Sequence, residues 1–186
     1  MGAGNQQERL STIEAKKWFL AGFIEGEGSL CISIKESPTA KFGYYVDPEF
    51  FIYHHKKGRE ILKMAQEIFG TGRITDKSEN GEVLVFSINN RRSLIEKVIP
   101  FFERYMIFST KKKEFEKFKE ILEAMERKEH WTPEGLARIV EKAYTMNQAG
   151  KGKKRKKELL EIVGRILRGH TPDLPNKGQE DMVQST

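Results

Sequence analysis

Residues 20–28 read LAGFIEGEG, and this stretch decides the fold that we predict for the rest of the chain. Gly22 and Gly26 stand four positions apart within it, so they share one face of a helix. A glycine inside a helix costs about 1 kcal/mol relative to alanine, and it usually has a packing reason there. One explanation is close approach to another helix. The alternative is a helix end that packs tightly against its own sheet.

Helical and strand periodicities alternate on both sides of this stretch. Apolar residues at helical spacing predict a helix from Ser11 or Thr12 to about Glu25. We predict strands at 29–35, 44–55, 73–77 and 82–89, and helices at 57–69, 94–102 and 111–129. Pro48 indicates an edge or a bulge in the second strand. The order αββαββα predicts an α+β fold whose antiparallel sheet carries its helices on one face.

A pair of helices is predicted after this unit. Thr132 and Pro133 are a capping hydroxyl and a first-turn proline, and the helix that they begin should run to about Asn147. A second helix is expected from Lys153 to about Arg168. The predicted organisation is a core at 1–130, a basic helical subdomain at 131–169 and a disordered tail at 170–186, where apolar residues are few.

The composition favours a polyanionic partner and excludes several classes of protein. Lys and Arg number 33 against 27 acidic residues, and the run KGKKRKK at 151–157 holds six of these basic residues. We expect phosphate contacts from part of this run, although a solvated charge run is the alternative. These residues are Lys151, Lys153, Lys154 and Arg155. The single cysteine, Cys31, excludes intramolecular disulfides and thiolate-clustered zinc, and no apolar run or leader predicts a membrane span or secretion.

Two carboxylates close the opening stretch, at the point where the helix gives way to a strand. Glu25 and Glu27 lie at the negative end of the helix dipole, which disfavours a buried carboxylate without a positive neighbour. A divalent cation would meet that need, because hard cations prefer carboxylate and carbonyl oxygens. The alternative is a pair of ordinary surface carboxylates.

The chain resembles the LAGLIDADG homing endonucleases, in particular single-motif members encoded in large-subunit rRNA group I introns. The motif at 20–28 is one part of that resemblance, which spans roughly residues 17–122 and continues faintly to 167. Further matching segments follow in the same order: Lys41-Phe42-Gly43, residues 46–50 (VDPEF), residues 70–74 (GTGRI), residues 89–94 (NNRRSL) and residues 96–102 (EKVIPFF).

The resemblance implies roles for individual residues. Glu27 and the carbonyl of Gly26 match the metal ligands, whereas Glu25 matches a more structural acidic position. Both acidic residues are Glu where the family commonly has Asp, which puts the metal geometry in doubt. His54 stands where the family often has a water-positioning glutamine; the alternative is a polar strand end, which we favour for His55. Lys111 matches the basic residue beside the scissile phosphate, with Lys112 or Lys113 as substitutes if the register shifts.

A single copy of the motif implies a homodimer, because the family's site needs two. The expected dimer contacts are the motif residues Leu20, Ala21, Gly22, Phe23 and Glu25. The sheet would read the major groove of double-stranded DNA. Strand parity selects Ser33, Lys35, Asp47, Arg73, Thr75 and Lys77 for base contacts. Cys31, Tyr45 and Phe51 share those faces, and packing is the alternative explanation for them.

The expected function is a staggered double-strand break at a long pseudo-palindromic DNA site in an rRNA gene. The cofactor would be Mg²⁺, with Mn²⁺ as a substitute. The alternative is a non-cleaving intron RNA maturase or a DNA-binding regulator on the same fold, for which intron RNA would be the partner or an additional one. We expect an intracellular protein, in a prokaryotic cytoplasm (archaeal ones included) or in an organelle such as the chloroplast.

Overall fold

The structure is a computed structural model, and it describes residues 12–77, 81–105, 111–146 and 158–169. The predicted order αββαββα and the helices after it are confirmed, and the ends of the elements differ from the expected ones by a few residues. The elements are α1 (Ile13–Glu27), β1 (Gly28–Glu36), β2 (Tyr44–His55), α2 (Arg59–Phe69), β3 (Arg73–Asp76), β4 (Val83–Ile88), α3 (91–105), α4 (Lys112–Glu126), α5 (Pro133–Tyr144) and α6 (Leu159–Leu167).

Helix α1 begins and ends as its terminal residues dictate. The Thr12 hydroxyl caps it by accepting from the Ala15 amide at 3.1 Å. The helix passes its expected end at Glu25 and stops at Glu27, where the Gly28 amide donates to the Ile24 carbonyl. A Cβ on Gly28 would lie 2.6 Å from that carbonyl oxygen, so only glycine fits where the helix turns directly into β1.

The sheet is antiparallel throughout, in the order β1-β2-β4-β3. Strand β2 pairs with β1 over its first nine residues, but its pairing with β4 begins only at Phe50. Pro48 therefore lies where β2 has a neighbour on one side only, which confirms the expected edge position.

The core lies on one face of the sheet and is rich in aromatic rings. The wholly buried Phe50 ring lies 5.6 Å from Phe69 of α2, 6.4 Å from Phe86 of β4 and 5.5 Å from Phe102 of α3. Each such ring contributes about 2 to 3 kcal/mol by its burial. One side chain thus ties two strands and two helices together and leaves the other face of the sheet free.

The last two helices join the same core. Thr132 caps α5 by accepting from the Gly135 amide at 3.1 Å, and Pro133 is its first residue, as predicted. In α6, Ile162 and Ile166 are buried, while Arg165 donates to Glu36 at 2.6 Å and to the Tyr44 hydroxyl at 2.9 Å. The basic run at 151–157 and the predicted tail lie outside the described residues. Within them, no helix has the length and apolarity to cross a bilayer.

Candidate catalytic site and nucleic-acid interface

The Lys111 side chain closes the end of α1. Its Nζ donates to the carbonyls of Ile24 at 2.9 Å, Glu25 at 2.5 Å and Gly28 at 2.6 Å. The last carbonyls of a helix have no partner within the helix and carry its negative dipole end, so an ammonium group there is stabilising. Of the three consecutive lysines, Lys111 is thus the one placed at the motif, whereas Lys112 and Lys113 are exposed on α4.

Both carboxylates of the motif affect the pKa of Lys111. Burial lowers the pKa of Lys111 below its ordinary value of 10.5, and the negative charges of Glu25 and Glu27 partly oppose that effect. The site therefore combines a half-buried cation with two carboxylates at the start of β1. Such a group can bind an anionic oxygen and neutralise charge that develops on it.

The donors at the end of α1 suit a hard divalent cation. Glu25 is half-buried and Glu27 is exposed, and a Cβ placed on Gly26 would meet no atom within 4 Å. Carboxylate and carbonyl oxygens are thus available beside open space, and Mg²⁺ needs only one or two protein carboxylates besides water. Over the described ranges, no three His, Cys, Asp or Glu side chains gather at one potential metal position.

His54 and His55 lie on opposite faces of β2. The half-buried His54 ring points toward the helices, with its centroid 4.9 Å from that of Phe23 in an edge-to-face contact. A Cβ on Gly58 would lie 2.0 Å from this ring, so Gly58 makes the room that His54 occupies. His55 is exposed, and its ring bonds Glu82 at 3.0 Å and the Lys57 amide at 3.1 Å, in keeping with a polar strand end.

The face of the sheet opposite the core collects the residues expected to read bases. The strand register places their side chains on one surface: Ser33, Lys35, Asp47, Arg73 and Thr75, with Lys77 directly after β3. Lys35 is ion-paired with Asp47, whose hydrogen bond raises the pKa of Lys35. The Lys77 ammonium lies 3.9 Å from the centre of the Tyr53 ring. The alternation of side chains along the strands was therefore enough to predict that these residues share one surface.

Two further side chains on this surface were missed, Glu49 and Tyr53. Both are half-buried, and burial followed by the negative charge of Asp47 raises the pKa of Glu49. They have the same parity in β2 as Asp47, so the alternation that selected Asp47 could have found them. The sequence alone did not show that Glu49 pairs with Cys31 across the strands or that its carboxylate lies near Ser33.

The exposed side of α1 is apolar. Phe19 is 40% exposed and Trp18 is 41% exposed, and a Cβ on Gly22 would meet no atom within 4 Å. A contiguous apolar surface that is exposed in a single chain often marks a contact with a partner. The expectation that Leu20 contacts a partner copy was wrong, because its side chain is wholly buried in the core of its own chain.

The remaining expected contact residues of α1 divide between the two sides. Ala21 and Phe23 are half-buried and pack against the same core as Leu20, and Glu25 is half-buried as well. Gly22 and Gly26 belong to the exposed side, together with Phe19. At 100° per residue, Leu20 and Phe19 cannot both face a partner copy, which is why the contiguous set predicted from the motif does not share one face.

Comparison with known proteins assigns the chain to a family. The model of the LAGLIDADG endonuclease family matches residues 20–122, and the chain belongs to that family. It is 46% identical over 134 residues to DNA endonuclease I-CeuI of Chlamydomonas moewusii, a match that covers 70% of this chain and 62% of that protein. The chain thus spans somewhat less than two thirds of this relative. The resemblance stated from the sequence is confirmed.

Solved structures support the fold. I-CeuI complexed with DNA superimposes with a TM-score of 0.76 at 41% identity, covering 81% of this chain and 75% of that one. The archaeal intron-encoded homing endonuclease I-Vdi141I, also complexed with DNA, gives 0.78 at 32% identity, covering 84% and 98%. I-SmaMI, bound to an uncleaved DNA target in the presence of calcium ions, gives 0.71 at 29% identity, covering 80% and 48%.

Proposed function

We propose that the chain is a site-specific homing endonuclease that cuts both strands of a long pseudo-palindromic DNA target as a homodimer. The observation that carries the proposal is the Lys111 ammonium group, held among the last carbonyls of α1 beside Glu25 and Glu27. This arrangement brings a positive charge for a phosphate and carboxylates for a metal to the same end of α1. Two relatives are named as a DNA endonuclease and as an intron-encoded homing endonuclease complexed with DNA, which supports a nuclease that acts on DNA.

In this proposal each residue of the site has its own task. The Glu27 carboxylate and the Gly26 carbonyl would hold a divalent cation, for which we propose Mg²⁺ because the donors are hard oxygens. The chemistry supplied by the bound cation is activation of water and neutralisation of phosphate charge. The positive charge of Lys111 would stabilise the negative charge of the scissile phosphate while its three N–H groups stay on the backbone carbonyls. Glu25 would keep Lys111 charged. His54 would orient water from the side of Phe23 and Gly58.

The homodimer follows from the exposed side of α1. Phe19, Gly22 and Gly26 form a narrow apolar strip, and two such strips can approach closely across a twofold axis. The comparisons are consistent with two copies: one chain covers nearly all of I-Vdi141I but about half of I-SmaMI. Paired helix ends would bring two copies of Glu27 next to each other, one for each DNA strand.

The DNA would lie on the exposed face of the sheet. Polar side chains of antiparallel strands fit the major groove, where each base pair presents its own pattern of donors and acceptors. The basic run that includes Lys151, Lys153, Lys154 and Arg155 would add phosphate contacts. A homing enzyme recognises the site that its intron interrupts, so we propose an uninterrupted rRNA gene as the source of the target.

Substitution of Glu27 tests the proposal directly. With Mg²⁺ and a fragment of the uninterrupted gene, the wild-type chain should cut both strands, and Glu27→Gln should slow cleavage by about 10²-fold or more. Gel-shift affinity should stay near the wild-type value, because Gln keeps the size of the side chain. Glu67→Gln, which removes a charge from the exposed side of α2, is the matched control. Cleavage by Glu27→Gln at the wild-type rate would overturn the catalytic assignment.

A further inference from the structure

The exposed face of the sheet carries a carboxylate, that of Glu49, which forms no ion pair with a described residue. Glu49 lies opposite Cys31 in the β1–β2 register, with Asp47 two positions before it on the same face. Asp47 is ion-paired with Lys35. Among the described residues, no Lys, Arg or His has an ion-pair contact with Glu49; its electrostatic neighbours are Asp47, Lys35 and Arg73, and its hydrogen-bond partner is Ser33.

A carboxylate on this face opposes the binding of a polyanion such as DNA unless it accepts a hydrogen bond from that partner. Burial and the charge of Asp47 raise the pKa of Glu49, and the positive charges of Lys35 and Arg73 oppose this shift only in part. A nearby phosphate backbone would add to the cost of the ionised carboxylate. The cost is offset where the carboxylate accepts a hydrogen bond. In the major groove the donors are the exocyclic amino groups of cytosine N4 and adenine N6, whereas guanine and thymine present acceptors at the corresponding positions.

We propose that Glu49 is a specificity determinant, which accepts a hydrogen bond from the amino group of a cytosine or an adenine in the major groove. The Ser33 hydroxyl donates a hydrogen bond to the Glu49 carboxylate, and Asp47 is ion-paired with Lys35, so of these two carboxylates Glu49 is the one without an ion pair and open to a base. In a twofold dimer the requirement appears once in each half-site, at symmetric positions. The inference rests on the proposed function, because it needs DNA on this face.

A binding selection from randomised duplex DNA tests this without knowledge of the natural target. The full chain would be selected in EDTA, so that no DNA is cut. The wild type should enrich an amino-bearing base at one symmetric pair of positions, and Glu49→Ala should reduce that preference by about tenfold to a hundredfold there and nowhere else. Glu49→Gln keeps an acceptor but adds a donor, so it should admit guanine or thymine at the same positions.

A control variant and two contrary outcomes distinguish base recognition by Glu49 from a simple effect of its charge. Glu67→Ala removes one negative charge from α2, outside the proposed DNA surface, and should leave every base preference unchanged. If Glu49→Ala binds all sequences more tightly and keeps the wild-type preferences, the carboxylate only repels phosphate and the proposal is wrong. If the wild type enriches no sequence at all, the proposed function itself fails, which separates the two hypotheses.

Discussion

His130 shows how the surroundings of one residue set its response to pH. Burial lowers the pKa of His130 below its ordinary value of 6.5, the positive charge of Arg91 acts in the same direction, and Glu126 partly opposes them. The Nδ1 atom is buried and has no hydrogen-bond partner among the described residues. A proton on this ring is therefore bound more weakly in the folded chain than in the unfolded one.

The sign of this shift predicts a loss of stability in acid. Because the unfolded state binds the proton more tightly, the unfolding free energy should fall as the pH drops below about 6.5. Urea unfolding at about pH 7.5 and about pH 5.5 measures this loss. His130→Gln is neutral at both values and should lose less than the wild type between them. An equal loss in the two proteins would mean that His130 does not titrate as the structure implies.

At the scale of elements, the end of α1 depends on the start of α4. Three carbonyls around the helix end receive hydrogen bonds from one Lys111 side chain, and Gly28 lets the strand begin without a loop. This contact joins residues more than 80 positions apart, so it fixes the motif carboxylates relative to the rest of the site. The same side chain thus has a structural and a proposed catalytic role.

Replacing Lys111 by methionine should expose both roles. The Met side chain is similar in length but donates no hydrogen bond, so we expect Lys111→Met to lower the unfolding free energy by about 1 to 2 kcal/mol and to abolish cleavage. Denaturant unfolding and a cleavage assay measure the two effects. Lys113→Met changes an exposed lysine on α4 and should do neither. Full stability of Lys111→Met would show that the carbonyls do not depend on this ammonium group.

At the level of the whole molecule, the described residues share a continuous core, and the open face of the sheet and the outer side of α1 are surfaces on which partners can bind. The core side of the sheet is filled by helices, whereas the opposite face and the outer side of α1 are left open in a single chain. In the proposed assembly the open face of the sheet binds DNA, and the outer side of α1 contacts another copy of the chain. The two surfaces meet at the end of α1, which is where the candidate catalytic residues lie.

A charge at the centre of α1 should separate the copies. Gly22→Arg places a long cation on the exposed apolar strip, and we expect it to shift a micromolar solution from dimer to monomer in analytical ultracentrifugation. Arginine favours a helix more than glycine does, so the fold of the single chain should not suffer. Glu67→Arg on α2 is the control, and it should remain dimeric. A monomeric wild type, or a dimeric Gly22→Arg, would contradict this interface.

The order of helices and strands and the family were both predictable from the sequence. Thr12, Thr132 and Pro133 set helix starts through local hydrogen bonds and a fixed backbone angle, and alternation located the strands and the exposed face of the sheet. These features depend on interactions between residues that are close in sequence, so they can be recognised without the tertiary structure. The motif at 20–28 and the segments after it identified the family, because their order is specific.

Which side chains contact one another depended on the packing of distant elements. It placed Lys111, of three consecutive lysines, at the motif, and it buried Leu20 in the core of its own chain. It packed His54 against Phe23 and left Glu49 without an ion pair among the described residues. Each result depends on how distant elements pack, and a shift of one residue turns a side chain to the other face of a strand or helix. Periodicity defines the faces of each element, but packing alone determines what each face contacts.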